Sequence, residues 1–429
     1  MPTTVFNANF VVEEISQKQE SGILNGGMRK RSVIFPVLLI LSLTLIKCID
    51  PYYPKLEKYQ SLLVVDALLT DEDLPASVRL TRTAETLEEK LSMVSGASVS
   101  IIDNLGNSTA LIEVSEGIYK SDTLTFRGIA GRQYTLRIRT EDGKEYESNS
   151  SLLNEARDID KVYFGRASQT TDDGEVQQGI MVYIDSKDPT EHKYFRLGYE
   201  EWWKFNIPYP VTHKYVNEGN IYAIPIKNVT CYKNRKSDEV LIQFSDPEVN
   251  SEFIKKPVCF IASDKSDRLL IQYCIEVSQY AISENEYEFW RLTKEINESG
   301  GDIFDKQPFP IISNIHCVTN PDENVVGYFQ VCGVKKKRIY IKGSEIVAMG
   351  LQPYHYACDM VLKGPQDYLG GAMTFDRIYH NFTALGYNFI APQYLVSLFL
   401  DRLMFLDRYC SDCTTSGSPD KPDFWVDLE

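Results

Sequence analysis

From Leu62 onward, apolar and polar residues alternate in short runs broken by turn residues. Leu62-Leu63-Val64-Val65 leads into Thr70-Asp71-Glu72-Asp73, and Val78-Arg79-Leu80 alternates. Ala97, Val99 and Ile101 fall on one face before the turn Asp103-Asn104-Leu105-Gly106-Asn107; Tyr134, Leu136 and Ile138 do the same before Glu141-Asp142-Gly143. A period of two with turns at short intervals predicts antiparallel strands, each sheet with one buried face. Residues 61–150 are therefore expected to form a β-sandwich of immunoglobulin- or transthyretin-like type. Residues 151–429 are expected to be a larger β-rich domain with a few helices. Val162-Tyr163-Phe164, Ile180 to Ile184 and Tyr194 to Tyr199 have the β-branched and aromatic content of strands.

The clearest helix opens at Ser283, where Ser283 and Glu286 have capping-box spacing and Ile282 with Tyr287 can staple the entry. Phe289, Leu292 and Ile296 then share a face, and Ser299-Gly300-Gly301 ends it. Lys335-Lys336-Lys337-Arg338 lies in a strand-like stretch and reads as a solvated edge. Tyr394 to Leu406 is apolar nearly all round, so it is buried or a contact surface. It is too short to cross a membrane as a helix.

The start of the chain follows a different logic. Met28-Arg29-Lys30-Arg31 is a basic n-region, Val33 to Ile46 an apolar h-region, and Leu45-Ile46-Lys47-Cys48 reads as a lipobox with Lys47 where a small residue is usual. Met28 is the expected start, residues 28–47 the signal peptide of a leader ending at residue 47, and Cys48 the lipidation site. Residues 48–60, stiffened by Pro51 and Pro54, are the expected tether. Loss of residues 1–47 removes five basic and three acidic residues, moving the net charge from −15 to −17. That charge disfavours nucleic acid and adsorption on anionic lipid, so attachment is by tether.

Eight cysteines remain after Cys48. Cys410 and Cys413 form a CxxC pair ahead of a loop-like stretch; structural thiols or disulfides, half a metal site and a redox pair are its three readings, with the first preferred. Trp202, Trp203 and Phe205 form an aromatic cluster that is either an exposed binding platform or core. Asp172-Asp173-Gly174-Glu175 lacks the spaced ligands of a calcium loop and reads as a solvated turn. The five histidines have no ligand spacing, and no nucleophile elbow, zinc-protease helix or phosphate loop is present. The expectation is a binding protein with no catalytic residues, no metal and no cofactor.

These features, in order, resemble a family of Bacteroidota lipoproteins known as domain of unknown function 4249. The resemblance rests on Leu63-Val64-Val65-Asp66 with Thr70-Asp71, Gly96-Ala97-Ser98-Val99, Gly117-Ile118-Tyr119 and Asp142 to Ser148. It continues in Ile159 to Tyr163, Glu286 to Trp290, Phe304-Asp305, Gly327-Tyr328-Phe329 and the ending Cys410 to Cys413 with Lys421 to Trp425. It implies an outer-membrane lipoprotein, periplasmic or surface-facing, acting as accessory or docking partner of a TonB-dependent transporter. The alternative is a structural or adhesive surface lipoprotein without a transporter. The largest apolar groupings lie after Ile159, so partner contact is expected there.

Overall fold

A computed structural model describes residues 61–84, 91–122, 126–186, 193–217, 220–245, 253–298, 313–368, 372–394 and 400–428. The protein is mainly β, with several sheets and few helices. The predicted alternation of the first strand is realised in β1 (Leu63–Thr70), where Leu63, Val65, Ala67 and Leu69 are buried. Its antiparallel partner is β2 (Ser77–Arg82), followed by β3 (Ser98–Asp103), β4 (Ser108–Ser115), β5 (Ile118–Lys120), β6 (Gln133–Arg139) and β7 (Glu145–Ser148). The inward residues of β1 and β2 share one core cluster with Val99, Ile101, Leu136 and Ile138 of β3 and β6. This is the sandwich-like layer read from the sequence.

The turn after β3 is built by one side chain. The Asp103 carboxylate accepts from the backbone N–H of Leu105 (3.0 Å) and Asn107 (2.9 Å), from the Asn107 amide (2.8 Å) and from Arg132 (2.8 Å). The Asn107 amide bond, with the two backbone bonds and Arg132, holds its pKa below the usual carboxylate value despite burial.

Beyond residue 150 come β8 (Lys161–Thr170), β9 (Val176–Ser186), β10 (Tyr194–Asn206), β11 (Thr230–Lys236), β12 (Leu241–Phe244), β13 (Phe253–Ala262) and β14 (Gln272–Ala281). Then follow helix α1 (Glu284–Glu298), β15 (Ile315–Cys317) and β16 (Val325–Lys342). The β8–β9 turn holds Asp172 to Glu175: Gly174 (φ +85°) donates to Thr171 O at 2.8 Å, and Glu175 meets Lys265 at 2.8 Å. The segment is a hairpin turn.

The long strand β16 joins the two halves of the chain. Its first half runs parallel to β1, with Val65 opposite Gly327, and its second half runs antiparallel to β14. The sheet therefore runs without a break from β11, β10 and β14 through β16 to β1, β2 and the sandwich, ending at β15 against β7. Ile315, Cys317, Val325, Phe329 and Val331 belong to the sandwich core, which thus draws on residues far beyond 150. Residues 59–429 form one compact unit. Gly327 is what lets β16 approach β1: its φ is +103°, and a Cβ there would lie 1.9 Å from Val65 O.

The sheet β8–β9–β13 covers one face of β10, β14 and β16, with Ile180, Val182 and Ile184 in one cluster with Leu197, Ile275, Val277 and Ile341. Two buried acids in this layer are held by several partners each. Glu201 accepts from Tyr273 OH (2.7 Å) and from Arg268 (3.1 and 3.3 Å); Asp267 accepts from Lys233 (2.7 Å), Trp203 (2.9 Å) and Tyr356 (2.9 Å).

The final layer contains β17 (Val361–Lys363), α2 (Phe375–Ala384), β18 (Tyr387–Tyr394) and β19 (Leu400–Asp407). Of the Tyr394–Leu406 run, Tyr394 ends β18 and residues 400–406 lie in its antiparallel partner β19, where Leu403, Phe405 and Leu406 are fully buried; residues 395–399 lie outside the described residues. The basic run 335–338 is less solvated than an edge. Lys335 pairs with Asp158 (3.4 Å), Lys336 with Glu72 (3.0 Å) and Arg338 with Glu276 (2.6 Å), while Lys337 donates to the carbonyls of Ile159 and Asp160.

Candidate functional site

Strand β10 places its residues on two faces. Phe195, Leu197 and Phe205 are buried in the cores beneath, while Arg196, Gly198, Glu200 and Trp202 lie on the opposite face. The antiparallel register with β14 and β16 arranges that face in rows: Arg196 beside Tyr280, Gly198 beside Ser278 and Lys336, Glu200 beside Glu276 and Arg338, Trp202 beside Cys274 and Tyr340. One side of a strand that must be buried and another free to carry charge explain why the sequence YFRLGYE alternates.

Two elements cover the ends of this face. At one end is α1, whose N-terminus is capped by Ser283, its Oγ accepting from Glu286 N at 3.2 Å. Tyr287 packs on Tyr194 (5.1 Å between rings) and Phe289 on Tyr328 (4.9 Å). At the other end, residues 424–428 lie across β10, β14 and β16. Phe424 meets Trp202 edge-on at 4.8 Å and receives the Arg338 guanidinium at 3.8 Å, its carbonyl accepts from Tyr340 OH at 2.7 Å, and Asp427 bridges Lys204 (3.0 Å) and Lys421 (2.8 Å). Those two lysines hold the Asp427 pKa down at about 2.

A cleft of about 460 Å³ is lined by the uncovered part of this face, by the loop 237–240 and by β1 and β2. That volume suits a small ligand. Its lining carries six carboxylates and four cations. Two of the four cations are already paired: Lys336 with Glu72, and Lys236 with Glu200 at 3.6 Å. Arg196 is different. Its guanidinium lies over Tyr280 (4.2 Å to the ring centre) and near Trp290 (5.3 Å), and it donates to the neutral amide of Gln330 at 3.0 Å.

Behind Arg196 sits Glu286, 1 % exposed, on the first turn of α1. Burial pushes its pKa up to about 7 against the opposing pull of Arg196 and of Trp290, whose Nε1–H donates to it at 3.3 Å. Burial, with a smaller contribution from Glu286, raises the Tyr328 hydroxyl to about 12.

Of the residues singled out from the sequence, Cys48 lies outside the described residues. Cys410 and Cys413 are both buried but not joined to each other: the disulfides are Cys231–Cys413 and Cys358–Cys410. Trp202 and Trp203 are half-buried on opposite faces of β10, and Phe205 is 1 % exposed beside Cys231 and Cys413. The three rings therefore form no common platform. Trp202 closes one end of the cleft's sheet face against Phe424, Trp203 donates into the buried Asp267 network, and Phe205 is core. Among the described residues no group of three His, Cys, Asp or Glu side chains is placed to hold a metal.

Arg196, Gly198 and Ser278 were not singled out by sequence, and Glu286 was read only as a helix-capping residue. Arg196 and Gly198 sit at alternate positions of a strand whose other face is apolar, a visible pattern. The Glu286 capping position is visible too, but its burial depends on Tyr328 and Arg196, which come from distant strands.

Among curated proteins none matches the chain. The family described as Domain of unknown function (DUF4249) matches residues 49–338, from just after Cys48 to within β16. That span holds the sandwich, the β10–β14–β16 face and α1, and the chain belongs to this family.

Proposed function

We propose that this protein is a lipid-anchored outer-membrane accessory protein of Bacteroidota that captures a ligand for, or docks against, a TonB-dependent transporter. The observation that carries the reading is the junction at Cys48: a basic n-region and an apolar run end at that cysteine, and the family match begins at residue 49. No helix among the described residues is long and apolar enough to cross a membrane. The cleft on the β10–β14–β16 face supports capture, since it offers a volume of small-ligand size lined by both cations and carboxylates.

Cys48→Ala removes fatty-acid label and releases the chain from the membrane fraction; equal labelling of wild type and variant would overturn the anchor. Detergent extraction of the native membrane followed by affinity capture of the wild-type chain recovers a TonB-dependent transporter in stoichiometric amount. Recovery of the chain alone from solubilised native membranes overturns the transporter role.

A further inference from the structure

Gly198 and Ser278 stand side by side in the β10–β14 register, so two small residues form a notch in the sheet face. On one side of the notch is Arg196, and on the other are Glu200 and Glu276. Glu276 is neutralised by Arg338 at 2.6 Å. Among the described residues Glu200 has only the long, exposed contact to Lys236, and Asp238 and Glu239 stand exposed on the adjoining loop. The notch thus has a cationic end and an acidic end.

Arg196 is the informative group. Among the described residues it makes no ion pair with a carboxylate; Gln330 is its acceptor, and its Nε–H is enclosed without one. A guanidinium held over Tyr280 and near Trp290, with a neutral hydrogen-bond acceptor, is pre-ordered to receive a carboxylate in a forked pair. The rest of the lining selects among anions. Six carboxylates against four cations repel a multiply charged phosphate. The facing rings of Tyr280 and Trp290 are taken by the guanidinium, so no bare ring is offered to a sugar from that pair. A single carboxylate accompanied by a cation fits both ends.

The spacing sets the length. Arg196 and Glu200 are four residues apart on one strand, about 13 Å. An extended peptide of about four residues spans that distance. We propose that the cleft binds a short peptide with free termini, its carboxylate on Arg196, its ammonium group toward Glu200, Asp238 and Glu239, and its backbone over the Gly198–Ser278 notch. This deepens the capture reading by naming the ligand class, and it is tested without any transporter.

Purified full-length protein is titrated calorimetrically with tetra-alanine, with N-acetyl-tetra-alanine, with tetra-alanine amide and with inorganic phosphate. Tetra-alanine binds saturably; blocking either terminus weakens binding at least tenfold, and phosphate does not compete. Arg196→Gln weakens binding of the free peptide at least tenfold and leaves the amide unaffected. Gly198→Leu is the steric control. A Cβ at Gly198 lies 3.5 Å from Tyr280, an ordinary contact, so the variant keeps its unfolding midpoint while its side chain fills the notch and abolishes binding.

Absence of tetra-alanine binding, equal binding of the blocked peptides, or full binding by Gly198→Leu each overturns the proposal. Loss of transporter co-purification leaves these readings untouched, so the two failures are distinguishable.

Discussion

Replacing Glu286 with Gln should stabilise the protein, and only above a definable pH. In the native state the Glu286 pKa is about 7, against an ordinary 4.5, because burial penalises the charged form more than Arg196 and Trp290 relieve it. Between those values the folded chain holds a proton that the unfolded chain has released. Stability from this group is therefore complete below pH 4.5 and is lost progressively as pH rises through 7. A shift of that size corresponds to about 3 kcal/mol at pH 8. Gln keeps the shape and can still accept from Trp290, but carries no charge to desolvate. Urea unfolding of wild type and Glu286→Gln, disulfides intact, from pH 4.5 to 8.5 should give equal stability at the acid end and a gap widening to about 3 kcal/mol at pH 8. Self-repulsion of the acidic chain also lowers stability as pH rises, but it acts on both proteins and cancels in the difference. The neighbouring Tyr328 and Cys332 stay protonated in this range, since burial raises both above it. A gap that is flat with pH, or a variant no more stable at pH 8, would refute the argument. Arg196→Gln supplies the complementary sign: without the cation the wild-type slope should move to higher pH.

Gly327→Ala should destabilise by ~3 kcal/mol or more in urea unfolding, because a Cβ cannot fit 1.9 Å from Val65 O and φ is +103°; a loss under 1 kcal/mol would show that β16 can shift cheaply. Peptide mapping without reduction should find Cys231 linked to Cys413 and Cys358 to Cys410, with no Cys410–Cys413 link. Cys410→Ser with Cys413→Ser should lower Tm by well over 5 °C, since the bridges close loops across sequence separations of 52 and 182 residues and are each worth ~2–5 kcal/mol; an unchanged Tm would overturn their structural role.

The elements that sequence alone made legible are those stabilised by their own neighbours. Period-two alternation located β1, β2, β3 and β6, the Asp103–Asn107 turn is built from its own side chain, and Ser283 caps α1 as the spacing indicates. What was not legible depends on partners far along the chain. The basic run 335–338 looks like a solvated edge because nothing nearby is acidic; its counter-charges Glu72, Asp158 and Glu276 come from three separate segments. The CxxC spacing invites a local pairing, yet each sulfur finds a partner 52 or 182 residues away. Trp202 and Trp203 look like one cluster in sequence, but adjacent residues of a strand point to opposite faces, so they have different neighbours and different roles. The cleft itself is a property of register: Gly198 and Ser278 mean little until β10 and β14 align them.

Register also decides whether the N-terminal sandwich can stand alone. Its strands from residue 61 to 150 look self-sufficient in sequence, yet the core includes Ile315, Cys317, Val325, Phe329 and Val331, all at most 7 % exposed. Burial of five such side chains is worth roughly 1.5–3 kcal/mol each, a total of the same size as the ~5–15 kcal/mol that keeps a domain folded. Removing β16 also strips β1 of a full ladder of backbone hydrogen bonds and leaves an apolar strand as an open edge. A fragment of residues 49–150 should therefore lack a cooperative thermal transition and show collapsed amide dispersion by NMR. A fragment in which residues 313–333 are joined behind residue 152 through a flexible linker should recover both. If residues 49–150 alone unfold cooperatively, the contribution of β15 and β16 to that core is smaller than its burial implies.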